Sequence, residues 1–92
     1  MGHTIREKTK LLNRVRRLRG QVDAIERALD EERGCAEVLQ LIASTRGAMN
    51  GLMAELMEGH IRDHVASPDL ASDAMRQQGA DELIEVLRTY LK

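Results

Sequence analysis

Two apolar seams run back to back through this chain, and a helical hairpin is the simplest fold that satisfies both. The first places Leu11, Val15, Leu18, Val22, Ile25 and Leu29 at intervals of four and three, a heptad pattern that keeps one helical face apolar. The second repeats the spacing with Cys35, Val38, Ile42, Thr45, Met49, Leu52 and Leu56. Thr4 with Glu7 three residues on fits a capping box, so the first helix is expected to open there, with Gly2 and His3 just outside it. It should end near Glu32, with Gly34 supplying the turn. The second should run to about Val65, where Ser67-Pro68 stops it. Residues 67–79 are polar and mixed, and Gly79 reads as another break. A short third helix is expected after it, carrying Leu83, Ile84, Leu87, Tyr90 and Leu91.

These elements define an all-α fold. Helices of this length are about 40–45 Å long, and so short a connection makes them antiparallel. One hairpin and a short third helix cannot cover both stripes, nor Leu12, Leu39, Leu41, Met53 and Met57 beside them. A four-helix bundle formed by two chains can. Gly47 and Gly51, four apart in the second helix, suit a close approach of helix backbones.

The 92 residues make one small domain, 1–92. With one tyrosine and neither tryptophan nor phenylalanine, any core is built from Leu, Ile, Val, Ala and Met. No run of about 18 apolar residues spans a membrane, and the charged start is no signal peptide. Arg6 stands where a myristoylation signal wants Ser or Thr. The single cysteine excludes an intrachain disulfide and suits a reducing compartment. The expectation is a soluble, cytoplasmic protein. No nucleophile, base and orienting group form a set, so it is not expected to be an enzyme.

His60 and His64 are four apart and share a helical face, the spacing a metal ion accepts. Two imidazoles alone make a weak site. Cys35, at the other end of the second helix, is about 38 Å from His60 along it. A second chain running the opposite way brings its own Cys35 beside this His60 and His64. His3 returns to the same end because the first helix starts where the second finishes, and the N-terminal amine comes with it. All three histidines and the only cysteine would then converge. Three imidazoles and a thiolate suit Ni(II), Co(II) or Zn(II), whereas Cu(I) prefers more sulfur.

Charge is unevenly spread. Residues 1–20 hold seven basic side chains against one acid, Glu7, while the other 72 hold seven basic and fourteen acidic ones. A basic end on an otherwise acidic chain points to an anionic partner; a solvated helix face is the plainer reading.

The stretches "LNRVRRLRGQVDAIERALD", "CAEVLQLIASTRGAMNGLMAE" and "RTYLK" resemble the CsoR/RcnR/FrmR family of small bacterial transcriptional repressors over nearly the whole chain. The resemblance implies a helical dimer of dimers that binds operator DNA without effector and releases it with effector. Released operons in the family typically encode an exporter or a detoxifying enzyme. Four ligand positions sort the family by effector. Here they read His3, Cys35, His60 and His64, which looks like the nickel- and cobalt-sensing branch, where these residues and the N-terminal amine make a six-coordinate site. Copper sensors carry a second cysteine where this chain has His64. Formaldehyde sensors share Cys35 and use an N-terminal proline, replaced here by Gly2. The "NRVRRLRGQ" stretch is similar to that branch, which stands as the alternative effector.

The resemblance makes operator DNA the anionic partner. Arg6, Lys10, Arg14 and Arg17 line one flank of the first helix, and Lys8, Arg16 and Arg19 the other. Such rows neutralise phosphates and make binding steeply salt-dependent. Arg14 and Arg17 are the first candidates, and Arg46 in the second helix is a further one. Without a short recognition helix or a stacking aromatic, readout by DNA shape is expected. Two rival classes stay open: a metal storage protein or chaperone, and a purely structural helical oligomer.

Overall fold

A computed structural model describes residues 3–92, with side chains from Thr4 onward. Among the described residues are four α-helices and no strand: α1 (His3–Arg6), α2 (Lys8–Asp30), α3 (Cys35–His64) and α4 (Asp73–Tyr90). The fold is all-helical, as the seams require. No helix is long and apolar enough to cross a membrane. The helices group into two compact units. One is Lys8–Met53, and the other joins the residues up to Glu7 with Ala54–Lys92.

In the Lys8–Met53 unit, α2 and the first part of α3 form the antiparallel hairpin. Arg14 Nη1 donates to the Gly51 carbonyl at 3.1 Å, and Gln21 Nε2 donates to Ser44 Oγ at 3.4 Å. Seven residues forward along α2 thus match seven back along α3, which fixes the register. The covered stripe of α2 is Leu11, Arg14, Leu18, Gln21, Ile25 and Ala28; on α3 it includes Val38, Leu41 and Thr45. Among the described residues only Leu18, Ala28 and Val38 are buried apolar residues.

The seam read from the sequence divides between two faces. Leu11, Leu18 and Ile25 lie in the covered stripe, whereas Val15, Val22 and Leu29 stay exposed with Leu12. Leu39, Ile42 and Met49 are likewise exposed on α3. Each helix therefore carries a second apolar stripe, at helical spacing, that its own chain leaves uncovered.

The turn between the two helices departs from expectation. α2 ends at Asp30 in a Schellman arrangement: the Glu32 N–H bonds the Leu29 carbonyl at 3.1 Å, and the Arg33 N–H bonds that of Ala28 at 2.9 Å. The left-handed residue is Glu32, φ 56°, and Gly34 has no positive φ. Gly34 instead caps α3, its carbonyl accepting from the N–H groups of Glu37 and Val38. The last α2 carbonyls need partners two residues before Gly34 arrives, so a glutamate takes the strained position.

In the other unit two further boundaries are corrected and one, the end of α3, falls within a residue of the expected Val65. The first helix opens at His3, so Thr4 is helical and not its cap, and a turn at Glu7 separates α1 from α2. α3 ends at His64, before Ser67-Pro68. The last helix is 18 residues long and starts at Asp73, not after Gly79. Ser72 is its N-cap, with Oγ accepting from the Met75 N–H at 3.3 Å. Gly79 is buried inside α4. A Cβ there would overlap the His64 carbonyl oxygen, so this glycine is a point of close helix approach rather than a break.

Candidate functional site

His60 and His64 stand in the last two turns of α3, half-buried, with ring centroids 4.8 Å apart and planes tilted by 39°. His60 Nε2 lies 2.8 Å from the Gly79 carbonyl oxygen. A carbonyl only accepts, so Nε2 carries the proton of this bond and Nδ1 is the nitrogen left for a metal. A hydrogen bond of this kind orients an imidazole for metal binding and sets its tautomer. The sequence reading missed Gly79 in this role. The signal available was a glycine inside an amphipathic stretch that continues on both sides of it.

α4 also secures the end of α3. Arg76 Nη1 donates to the carbonyls of Ser67 at 3.0 Å and Val65 at 3.4 Å, tying α4 to the chain that leaves α3. Arg76 faces Asp73 at 3.8 Å. Arg6 donates to the two carboxylate oxygens of Asp63, at 3.0 and 2.8 Å. Arg6 is thus occupied by a carboxylate, where the sequence reading put it in a phosphate-facing row.

Cys35 is exposed at the first residue of α3. Before it, Arg33 pairs with Glu37 at 2.8 Å and Glu31 at 3.2 Å. The hydrogen bond that Arg33 donates to Glu37 first, and the charge of Glu31 after it, raise the pKa of the Arg33 guanidinium above its ordinary value. Cys35 and the histidine pair occupy opposite ends of the 30-residue α3. The backbone of His3 opens α1, while its side chain and the N-terminal amine lie outside the described residues. Among the described residues no three metal-donor side chains come together within one chain. The fold brings His60 to His64, and Cys35 to neither.

The basic residues are differently placed. Lys10, Arg16, Arg17, Arg19 and Arg46 are exposed, and Arg16 donates to Asn13 Oδ1 at 3.1 Å. Arg14 is half-buried and committed to Gly51. A groove between α2 and α3 is lined by Arg14, Arg17, Leu18, Gln21, Gly47 and Gly51. The Arg14 guanidinium lies 4.0 Å from where a Cβ on Gly51 would stand, an ordinary contact that a side chain there would tolerate.

The sequence matches the family model of the metal-sensitive transcriptional repressors over residues 7–89. It is 52% identical over all 92 residues, the full length of both chains, to an uncharacterized protein in the bioA 5′ region of Serratia marcescens. It is 45% identical, again over the full length of both, to the transcriptional repressor RcnR of Salmonella paratyphi B. Among solved structures it is similar to a variant of the formaldehyde-responsive regulator FrmR from Salmonella enterica serovar Typhimurium. That match has a TM-score of 0.84 at 45% identity, covering 96% of this chain and 98% of that one. The Cu(I)-bound copper-sensing repressor CsoR of Geobacillus thermodenitrificans matches with a TM-score of 0.87 at 24% identity. It covers 100% of this chain and 94% of that one, and shows the shared fold.

Proposed function

Because the chain belongs to the family of metal-sensitive transcriptional repressors, and so is not an enzyme, we propose that it holds operator DNA when metal-free and releases it on binding Ni(II) or Co(II). Zn(II) is a third ion its donors suit, and the gene released is expected to encode a metal exporter. The observation that carries this reading is the imidazole pair of His60 and His64, with His60 turned by the Gly79 carbonyl so that Nδ1 faces away from that bond. His3, His60 and His64 of one chain and Cys35 of a second are the proposed ligands.

A second copy is supported by what the chain leaves bare. It exposes 7070 Å², against about 5,400 Å² for a folded monomer of this mass. The stripes of Leu12, Val15, Val22 and Leu29 and of Leu39, Ile42 and Met49 supply apolar surface for a four-helix bundle with another copy. We place the whole chain, 1–92, in one functional domain of a dimer of dimers, in the cytoplasm.

In the metal-free form Lys10, Arg16, Arg17 and Arg19, with Arg14 and Arg46, meet phosphates. The bound ion supplies a rigid cross-link. His60 and His64 then hold their end of α3 to Cys35 of the neighbour, and the basic rows lose their match to the duplex. Linkage requires DNA to weaken metal binding by the same factor, typically worth about 1–3 kcal/mol.

Co(II) titration of the reduced, tag-free protein tests the site. A thiolate-to-cobalt charge-transfer band with weak six-coordinate d–d bands is expected, lost in Cys35→Ala and altered in His64→Ala. Tight binding indifferent to Cys35, or no such band, defeats the metal reading. A storage protein would bind the ion with no operator preference.

A second effector is favoured by the 45% identity to the FrmR variant and the exposure of Cys35. In that reading the Cys35 thiol and the N-terminal amine take up formaldehyde as a methylene bridge, with loss of one water. Mass spectrometry after formaldehyde treatment distinguishes the two, since the bridge adds twelve mass units, roughly one carbon, to the linked peptides.

A further inference from the structure

We propose that Arg6 is a positioning residue for the metal centre: its ion pair with Asp63 holds α1, and the backbone of His3 with it, beside the turn of α3 that carries His60 and His64. The inference rests on the metal reading above. Two independent observations carry it.

The first is the pair itself. Arg6 Nη2 donates to both carboxylate oxygens of Asp63, at 3.0 and 2.8 Å, a charge-assisted contact across 57 residues of chain. Asp63 is three residues after His60, so the tether lands about one turn along α3 from that ring. Arg6 in turn is three residues after His3, about one helical turn away. The second observation is the path of the chain. The helix breaks at Glu7, and the residues before the break group with Ala54–Lys92, whereas Lys8 onward groups with the hairpin. The N-terminal segment thus belongs to the unit that carries the histidine pair.

The balance of effects favours placement over stability. Arg6 is 59% exposed and Asp63 18%, and an ion pair with so open a partner adds little to folding. Fixing α1 beforehand lowers the entropy lost when an N-terminal donor joins His60 and His64 around an ion. Arg6 touches no metal and acts through the segment it anchors.

The experiment compares the full chain with Arg6→Gln, Asp63→Asn and the exchange variant Arg6→Asp with Asp63→Arg, using Co(II) as probe. The single variants should bind Co(II) roughly tenfold or more weakly, as outer-shell partners generally do when removed. Their d–d bands should change while the Cys35 thiolate band persists. In the metal-free protein, the 15N heteronuclear NOE of Thr4–Arg6 should fall in both. The exchange variant should restore affinity, bands and NOE. Wild-type affinity and NOE in the single variants, or no restoration on exchange, overturns the inference while leaving the metal reading intact. If the unmodified chain shows no thiolate band, the metal reading falls, and the NOE still decides whether the tether exists.

Discussion

Gly79 lies so close to His64 that a Cβ on it would overlap the His64 carbonyl oxygen. One missing methyl group thereby lets the Gly79 carbonyl reach the His60 ring. Gly79→Ala must push α4 outward or unseat it. The expected cost is about 1–3 kcal/mol by urea denaturation, the range for overpacking a close approach. Co(II) affinity should fall with it, because His60 loses the acceptor that sets its tautomer. An alanine variant with wild-type stability and affinity would show that the approach is not needed.

Glu32 bears the strain of a left-handed backbone in the turn between α2 and α3. Glu32→Gly keeps both Schellman bonds and removes the steric penalty, so the variant should be more stable by about 1 kcal/mol. A shift of the urea midpoint to higher concentration at constant slope is the signature. A lower midpoint would mean that the Glu32 side chain contributes more than its backbone costs.

The proposed division of donors between two chains makes a complementation test available. Cys35→Ala and His64→Ala proteins each lack an intact centre. A hybrid dimer has both lesions in one centre and none in the other. Unfolding and refolding an equimolar mixture should restore the thiolate band at about a quarter of the centres. Recovery of none would mean that each chain builds its site alone.

Arg17 is exposed, whereas Arg14 is bound to Gly51, so the two should behave differently. Arg17→Ala should make the slope of log affinity against log salt shallower by about 0.9 for each phosphate left unneutralised, with no effect on folding. Arg14→Ala should lower the urea midpoint as well, by the equivalent of about 0.5–1.5 kcal/mol for its missing bond. Titrations at several salt concentrations, with matched unfolding curves, separate the roles.

Ile42→Glu puts a charge in an uncovered stripe of α3 and should shift the protein to smaller species in sedimentation velocity. The helical circular dichroism should fall with it, since the bare hairpin buries few apolar side chains. An unchanged sedimentation coefficient would place the interface elsewhere.

How legible the fold and the site were in the sequence depended on range. The two long helices and the stop at Ser67-Pro68 follow from spacing and backbone chemistry within a few residues of each site. Which half of the Leu11–Leu29 seam turns to α3 does not, because Arg14 and Gln21 take positions there that polarity would have put outside. Gly79 was misread for the same reason: a glycine's local preference is to end a helix, and only the nearness of His64 gives it another use. The pairing of Arg6 with Asp63 spans 57 residues, and the turn at Glu7 that accompanies it has no local signal. His60 and His64 were legible as a pair because four residues are about one turn.

Arg14 ends with two loyalties. Its guanidinium grips the Gly51 carbonyl and also lines the groove beside Arg17. A strut that bears charge works as a gauge: if α3 slides along α2, the grip must follow or let go, and the positive pole moves with it. The hairpin's internal alignment is thereby registered in where that charge sits.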